Sequence, residues 1–443
     1  MNDQDNQNRQ PDSWWNGTPE AVDQNAAASK AANQIPNKSS KKALKISLGV
    51  GAVVLLTTIV VLIVVLNLPK NTTTNESSGT AASSSEQSSS EQIMSTTLSS
   101  GSVTTTIGGK SITYNAAYLV DGIDVTISGG TFASTSDDQV TFLVINGGSL
   151  KIEGDVVIDK TGSSDFSGRG DNYSFYGTNS AITVVGEKSS VNINGATITT
   201  NVSGANAVVA TNGATAIVEN TTISTEKDNS RGLHATYGGS INADTTSIST
   251  KGGSCASLAT DRGSGMVVAD NMTLSTAGAG SPLIYSTGSI AVTNSKGTAT
   301  GAQIAVVEGK NSITLQGCDF SANGIGNRNN VDNAAVMIYQ SMSGDADTGT
   351  GSFTATDCTL TVLDSSSQYT ATPFFFVTNT DATIDLTSVT ANFSSSQKFI
   401  VARGTSEWGR TNSNGGKVTV SVSNLTATNT ETEVDDISSV SGL

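Results

Sequence analysis

Aromatic and charged side chains are scarce in this chain of 443 residues, at 5% and 14% of the sequence. Histidine occurs once and proline 6 times, whereas glycine occurs 45 times. A single histidine excludes a metal centre built on several histidines. With its many Ser, Thr, Asn and Ala residues, the composition is typical of a β-rich repeat protein rather than an α/β enzyme.

Positive charge is also in deficit, because the formal net charge is −15 and the pI is near 4.4. No basic stripe offsets this charge, so we expect no nucleic-acid partner. The chain has three cysteines, Cys255, Cys318 and Cys358. Their odd number and wide spacing match neither a zinc motif nor a disulfide framework, and we interpret them as small, mostly apolar fillers.

One long apolar run is present, from Ile46 to Leu66, and it contains no charged residue. Its length suffices to cross a bilayer core of roughly 30 Å. Four lysines closely precede the run and only Lys70 follows it closely. This asymmetry predicts a single-pass signal anchor in the cell membrane, with the N-terminus in the cytoplasm and the following domain extracellular.

The composition divides the rest of the chain. Residues 1–45 are polar and rich in Gln and Asn, which predicts a disordered cytoplasmic tail. Residues 71–100 are rich in Ser and Thr and are expected to form a flexible linker. A repeat domain then occupies residues 101–427, and residues 428–443 are left as a C-terminal tail.

The repeat domain consists of units about 25 residues apart, such as VNINGATI from Val191 and ITLQGCDF from Ile313. Aliphatic first and third positions predict a strand with one buried face. Gly, Asn or Asp prevails at the fifth position, which predicts a bend with positive φ. The eighth position is apolar again, as in Phe132, Val157, Ile198, Ile223, Ile248, Leu274, Phe320 and Leu360.

A second apolar run precedes each unit, as in AVVAT from Ala207 and PLIYS from Pro282, and supplies another wall of the coil. Two or three strands in about 25 residues match one coil of a parallel β-helix. The sequence therefore predicts an all-β fold: a right-handed parallel β-helix of about eleven coils, preceded by one transmembrane helix and disordered segments. Neighbouring coils should lie about 4.8 Å apart.

The pattern S-[VIL]-x-[VIL]-x-[GN]-x-x-[IL]-[ST] occurs in SSVNINGATITT, GSINADTTSIST and NSITLQGCDFSA. In this pattern the chain resembles right-handed parallel β-helix proteins of the pectate-lyase-like superfamily over residues 101–427. It is most similar to bacterial cell-surface members of the adhesin-like or carbohydrate-binding type. That resemblance implies the fold, but the superfamily includes lyases, hydrolases and non-catalytic binders, so no activity follows from it.

Stacked coils would bring Glu219, Asp244 and Asp270 into one column at steps of roughly 5 Å. Oxygen ligands at this spacing suit calcium, and we predict these three residues as a metal site. Paired carboxylates could also perform acid–base chemistry on a sugar. The remaining alternative is that the three side chains precede a turn and simply face water.

The largest insertion, residues 159–178, interrupts the period and should project from the coils. We predict ligand binding by its charged and aromatic residues, because aromatic faces beside polar groups suit sugar rings. The residues concerned are Asp165, Arg169, Asp171, Tyr173 and Tyr176. The alternative is that the aromatic rings fold back as a small satellite core.

No catalytic residue is assigned. His234 follows the inward-facing Leu233 and is expected on the surface, so no Ser/His/Asp set can be assembled. Family lyases place acidic calcium ligands opposite an Arg or Lys base, and Arg231 and Arg262 lie on loops beside the predicted acidic column. No lyase motif matches residue by residue.

We therefore expect a non-catalytic surface protein, adhesin-like or carbohydrate-binding, with a polysaccharide or surface glycan as partner and calcium as its one expected cofactor. The first alternative is a polysaccharide lyase or glycoside hydrolase that acts on an acidic polysaccharide. The second alternative is a structural surface stalk without a ligand.

Overall fold

Most of the repeat domain is β-strand in the computed structural model, which describes residues 98–323, 334–341, 345–363, 373–405 and 415–443. The predicted cytoplasmic tail, the predicted membrane span 46–66 and nearly all of the linker lie outside these residues. Within the described ranges, no helix combines the length and apolarity that crossing a bilayer requires.

Each typical coil contributes three strands, and we call the surfaces that they build face 1, face 2 and face 3, in chain order. Face 1 belongs to a sheet of 13 strands. Its strands are Gly101–Ile107, Lys110–Asp121, Gln139–Ile145, Ile182–Val185, Val208–Thr211, Leu233–Thr236, Leu258–Asp261, Ile284–Ser286, Ala305–Glu308, Val336–Tyr339, Phe375–Thr378, Ile400–Arg403 and Thr432–Val434.

Faces 2 and 3 share a sheet of 18 strands. Five long strands span both faces: Asp124–Ser134, Ser149–Lys160, Ser190–Thr200, Ala382–Asn392 and Lys417–Ala427. Strands of face 2 alone are Thr215–Glu219, Ser240–Asp244, Met266–Asp270, Ser289–Thr293, Ser312–Gln316, Gly351–Thr356 and Ser439–Ser441. Strands of face 3 alone are Thr222–Thr225, Ser247–Thr250, Thr273–Thr276, Lys296–Ala299, Asp319–Ala322 and Thr359–Val362.

Parallel pairing between equivalent strands holds the coils together. The strand Ser240–Asp244, for example, pairs in parallel with Thr215–Glu219 on one side and with Met266–Asp270 on the other. This pairing confirms the all-β prediction and is that of a parallel β-helix. The right hand of the coil stays a prediction, which the strong preference of parallel crossovers supports.

The two ends of the stack differ. At the N-terminal end, Gly101–Ile107 pairs antiparallel with Lys110–Asp121, through a turn at Gly108 and Gly109, both with positive φ. At the C-terminal end, short strands centred on Glu433 and Val440 continue the parallel pairing. Stacking thus extends into residues that the repeat alignment left as a tail.

The core is a continuous column of aliphatic and aromatic side chains inside the coils. One buried apolar cluster runs from Val120 to Val420 and includes Ile193, Phe320 and Phe353. Each fully buried aliphatic or aromatic side chain stabilises the fold by about 1.5–3 kcal/mol. Because one coil cannot close this core alone, stability depends on contacts between neighbouring coils.

The bend between faces 2 and 3 has positive φ at the fifth position of the repeat, as predicted. The residues are Gly129, Gly154, Gly195, Asn220, Thr245, Asn271, Asn294, Gly317 and Asp357. One eighth-position prediction is wrong. Val157 is only half-buried, and Ile158 is the residue in register with the inward Ile198. A register shift between Glu153 and Val156 displaces this strand by one residue.

Thr245 is the one β-branched residue at this bend, with φ of 48°, where left-handed backbone costs such a residue free energy. We predict that Thr245→Asn raises the free energy of unfolding by about 1 kcal/mol, and the thermal midpoint with it. Asn already occupies the same bend one coil before and one coil after, at positions 220 and 271. Thermal denaturation monitored by circular dichroism measures the change.

The reciprocal variant Asn271→Thr is the control and should lower the midpoint. An unchanged or lower midpoint for Thr245→Asn would show that the bend carries no strain at this coil.

Candidate functional site

The predicted acidic column forms as expected. Glu219 is in register with Asp244, and Asp244 with Asp270. They belong to a longer line of outward side chains on face 2, which we call the polar row and none of which is buried. The polar row comprises Ser128, Glu153, Asn194, Glu219, Asp244, Asp270, Thr293, Gln316, Thr356, Thr387 and Ser423.

Neutral donors from the adjacent bend and coil bind the two aspartates. The Asn271 amide donates to Asp244 Oδ1 at 3.0 Å and to Asp270 Oδ2 at 3.1 Å. Asp270 Oδ1 also accepts from Thr293 Oγ1 at 2.6 Å and from the Asn294 amide at 2.9 Å. These donors offset the repulsion between the carboxylates without a cation.

Where the structure describes the chain, no three or more His, Cys, Asp or Glu side chains form a group that could hold a metal. Calcium binding by Glu219, Asp244 and Asp270 stays a prediction.

The insertion contains a short helix α1, Phe166–Asp171, followed by a π-helical turn, Asn172–Tyr176. Asp165 caps α1, because its Oδ1 accepts from the Gly168 backbone N–H at 3.0 Å. Arg169 pairs with Asp138 at 2.9 Å. Asp165 and Arg169, two of the five predicted ligand-binding residues, thus stabilise the insertion.

The two predicted ligand-binding tyrosines are buried. Tyr173 is 0% exposed and donates its hydroxyl to Asp138. Tyr176 is 2% exposed and stacks on Tyr237, with ring centroids 5.3 Å apart and an interplanar angle of 8°. Neither ring offers an open face to a sugar. The structure thus has the satellite core that the sequence left as an alternative. Asp171 is half-buried. Burial opposes a rise in the pKa of Arg262, but the hydrogen bond to Asp345 raises it, and the charge of Asp171 adds a smaller contribution.

A group of charged residues that the sequence analysis did not assemble lies on the outer side of face 1. We call Arg231, His234, Asp261, Arg262, Glu308 and Asp345 the charged cluster. Arg231 Nη2 lies 3.3 Å from Asp261 Oδ2, and Arg262 Nε donates to Asp345 Oδ1 at 2.7 Å. The Arg262 guanidinium also stacks over the Phe175 ring at 3.8 Å.

Glu308 lies in the same column as Asp261, two coils further along, because Ala259 pairs with Tyr285 and Tyr285 with Val306. Its Oε2 accepts from the Tyr285 hydroxyl at 2.6 Å and the Tyr339 hydroxyl at 2.8 Å. Ser341 donates to its other oxygen. Glu308 thus joins three coils through polar contacts.

His234 corrects the expectation of a surface residue. The side chain does point away from the interior, as the inward Leu233 predicted, but it is 0% exposed. Burial, followed by the charge of Arg231, holds its pKa well below the usual 6.5. At neutral pH the ring is uncharged, so its distance of 3.9 Å to Asp261 does not represent an ion pair.

The carboxyl of Asp261 is the unusual acid of the charged cluster. Burial and the neighbouring Glu308 raise its pKa to about 6, while Arg231 and Arg262 oppose the rise. Burial also raises the pKa of Tyr285 and Tyr339 well above 10, with Glu308 adding to it, so both hydroxyls stay protonated and donate. Asp261 therefore takes up its proton at a higher pH than an ordinary aspartate does.

Two sequence signals could have revealed the charged cluster. One is polar residues at outward positions of the second apolar run, such as Asp261, Tyr285 and Glu308. The other is the length of sequence between strands, since residues 161–181, 323–335 and 340–350 each separate a face 1 strand from its neighbour in the chain. Together they mark face 1 as the surface that differs from coil to coil.

Comparison with solved structures finds similarity to the crystal structure of endo-xylogalacturonan hydrolase from Aspergillus tubingensis. The match has 13% identity and a TM-score of 0.19, and it covers 73% of this chain and 92% of that chain. A TM-score of this size carries no argument about function. No protein-family model matches the sequence, and comparison with curated proteins yields no match.

The raised pKa of Asp261 predicts a pH dependence of stability. The folded chain holds a proton at Asp261 that the unfolded chain, with a pKa near 3.8, has already released. The contribution of Asp261 to stability should therefore fall as pH rises from about 4 to about 6. Thermal midpoints of the wild type and Asp261→Asn between pH 4 and 8 measure it, and the variant should lack this decline.

His234 acts in the opposite direction, because protonation of the unfolded chain below pH 6.5 favours unfolding. The variant retains His234, so the difference between the two curves isolates Asp261. Asp261→Asn also removes the charged partner of Arg231, which changes the midpoint at every pH. The prediction therefore concerns only how the midpoint varies with pH, and not its absolute value. If the midpoints of the wild type and Asp261→Asn varied with pH in the same way, the raised pKa of Asp261 would be contradicted.

Proposed function

We propose that this chain is a membrane-anchored surface protein that binds a glycan along the polar row of face 2 and does not alter it chemically. An anchor at residues 46–66, as the sequence predicts, would hold the coils outside the cell, and the parallel stacking of the coils presents the polar row along their axis. A polysaccharide or surface glycan is the proposed partner, with calcium as a proposed bridging ion.

The single observation that carries this proposal is the unbroken register of the polar row. Carboxylate, amide and hydroxyl groups repeat at the strand spacing of about 4.8 Å, and none is buried. A polysaccharide also presents hydroxyl groups at a constant repeat. A regular row of acceptors and donors can therefore meet successive sugar units of one extended chain.

The bend residues support the same surface. Asn220, Asn271 and Asn294 lie beside the polar row, with backbone fixed at positive φ. Their amides bridge neighbouring coils, for example from Asn220 to Asn194 at 3.0 Å. Side chains held in this way lose little further conformational freedom when a ligand binds, which favours affinity.

Substituting Asp244 tests the proposal, because it lies centrally in the acidic part of the polar row. Asp244→Ala should weaken binding to the best glycan of a polysaccharide array by about tenfold or more, the value of a hydrogen bond to a charged group. The full-length protein in detergent is measured with calcium and with a chelator.

Asp319→Ala is the matched control, since Asp319 is an exposed aspartate that lies on face 3. It should bind as the wild type does. Asp244→Asn keeps the hydrogen-bonding geometry and should lose the calcium effect alone. If the protein bound no glycan, the structural stalk would be the remaining interpretation. Equal losses of affinity in Asp244→Ala and Asp319→Ala would show that the polar row is not the binding surface.

Glycoside hydrolysis is the second candidate, favoured by the Asp261 carboxyl with its pKa of about 6. Asp261 and Glu308 lie two coils apart, or about 10 Å, near the upper end of the separation in inverting hydrolases. Both side chains are 1% exposed, however, and are held by Arg, Tyr and Ser partners. This burial favours a structural role for the charged cluster.

Reducing-end assays on the array's polysaccharides separate the two candidates. We expect no new reducing ends from the wild type. Reducing ends that disappear in Glu308→Gln, but persist in the surface variant Glu226→Gln, would instead establish hydrolysis at the charged cluster.

A further inference from the structure

Two of the three cysteines lie directly above one another in adjacent coils. Gln316 is in register with Thr356, and Asp319 with Thr359, so Cys318 faces Cys358 across the strand spacing. That spacing of about 4.8 Å lies within the 4.4–6.8 Å between Cα atoms that a disulfide spans. Both thiols are free and only 2% exposed.

A hydrogen bond also joins the two residues. The Cys318 backbone N–H donates to Cys358 Sγ at 3.4 Å. In the same column, Thr246 Oγ1 and Ser295 Oγ each accept from a backbone N–H of the preceding coil, that of Thr221 at 3.4 Å and that of Met272 at 2.9 Å. Two consecutive cysteines thus replace hydroxyl residues at a position where side chains already bridge coils.

We propose that Cys318 and Cys358 form a disulfide that staples the coil beginning at Gly351 to the coil beginning at Ser312. The bond would close a loop of 40 residues. This loop includes Ser341 and Asp345, which contact Glu308 and Arg262 of the charged cluster. Its effect would be to hold Ser341 and Asp345 against face 1.

The reaction is a thiol–disulfide exchange with a low-molecular-weight disulfide as oxidant. The Cys358 thiolate attacks one sulfur of the oxidant, which releases one thiol and leaves a mixed disulfide. The Cys318 sulfur then attacks Cys358 Sγ and displaces the second thiol, which takes up the proton of Cys318. Two cysteine thiols are oxidised, and one disulfide is reduced to two thiols.

The environment of Cys358 suits the attacking role. The hydrogen bond from Cys318 lowers its pKa to about 7, although burial opposes the shift. Cys255 provides a contrast, because burial raises its pKa to about 12. Its neighbours in the adjacent coils are serines: its Sγ accepts from the Ser230 backbone N–H, and its own backbone N–H donates to Ser281 Oγ. Since both sulfurs of the proposed bond are buried, oxidation should occur while the coils dock during folding.

Thiol counting on the full-length chain tests the proposal. The chain is unfolded, refolded in detergent in a glutathione redox buffer, and alkylated in denaturant before mass spectrometry. We expect one alkylated cysteine, Cys255, and a linked peptide pair containing Cys318 and Cys358. Three alkylated cysteines, or a link that includes Cys255, would overturn the proposal. Protein isolated from membranes without reductant gives the same readout independently of refolding.

Thermal denaturation with and without reductant is the second measurement. Oxidised wild type should unfold at least about 2 °C above the reduced protein. Cys358→Ser should show no such difference, and Cys255→Ser should behave as the wild type. A linked wild type that unfolds at the same or a lower temperature than its reduced form would contradict the stapling role.

Discussion

Parallel pairing between consecutive coils is the constraint on which the structure depends. Each strand gives its backbone hydrogen bonds to the coil before and the coil after, so no coil is satisfied alone. The same pairing brings Ile198, Ile223 and Ile248 into one buried column. A shift of one residue would move such a column to the outside, and register is therefore fixed by the core.

A fixed register turns sequence repeats into spatial rows, and this explains what the sequence could predict. The period alone placed Glu219, Asp244 and Asp270 side by side and assigned positive φ to the bend residues. The prediction that Val157 faces inward was wrong because of a local register shift. Such a shift depends on how two strands fit together, and a repeat alignment carries no information on that fit. The burial of Tyr173 and Tyr176 could only be posed as an alternative, since periodicity says nothing of how an insertion folds back.

The charged cluster could not be predicted from the period either, because its contacts join residues far apart in the sequence. Arg262 and Asp345 are 83 positions apart and meet only because a connection at the edge of face 1 returns to an earlier coil. His234 points away from the core, as alternation along the strand predicts, yet its complete burial does not follow from the repeat. Buried charges are costly unless they are paired, and Arg262 finds its partner, Asp345, in a connection rather than within the repeat.

The division between faces follows from this arrangement. Faces 2 and 3 meet at a tight bend, fixed by residues such as Asn271 and Gly317, that leaves no room for inserted chain. Long connections enter at the edges of face 1, where Ser341 donates to Glu308 and Asp345 accepts from Arg262. The polar row on face 2 consequently stays open to solvent along the stack. In a fold of this kind, the surface free of insertions is the one whose repeat a long, regular ligand can match.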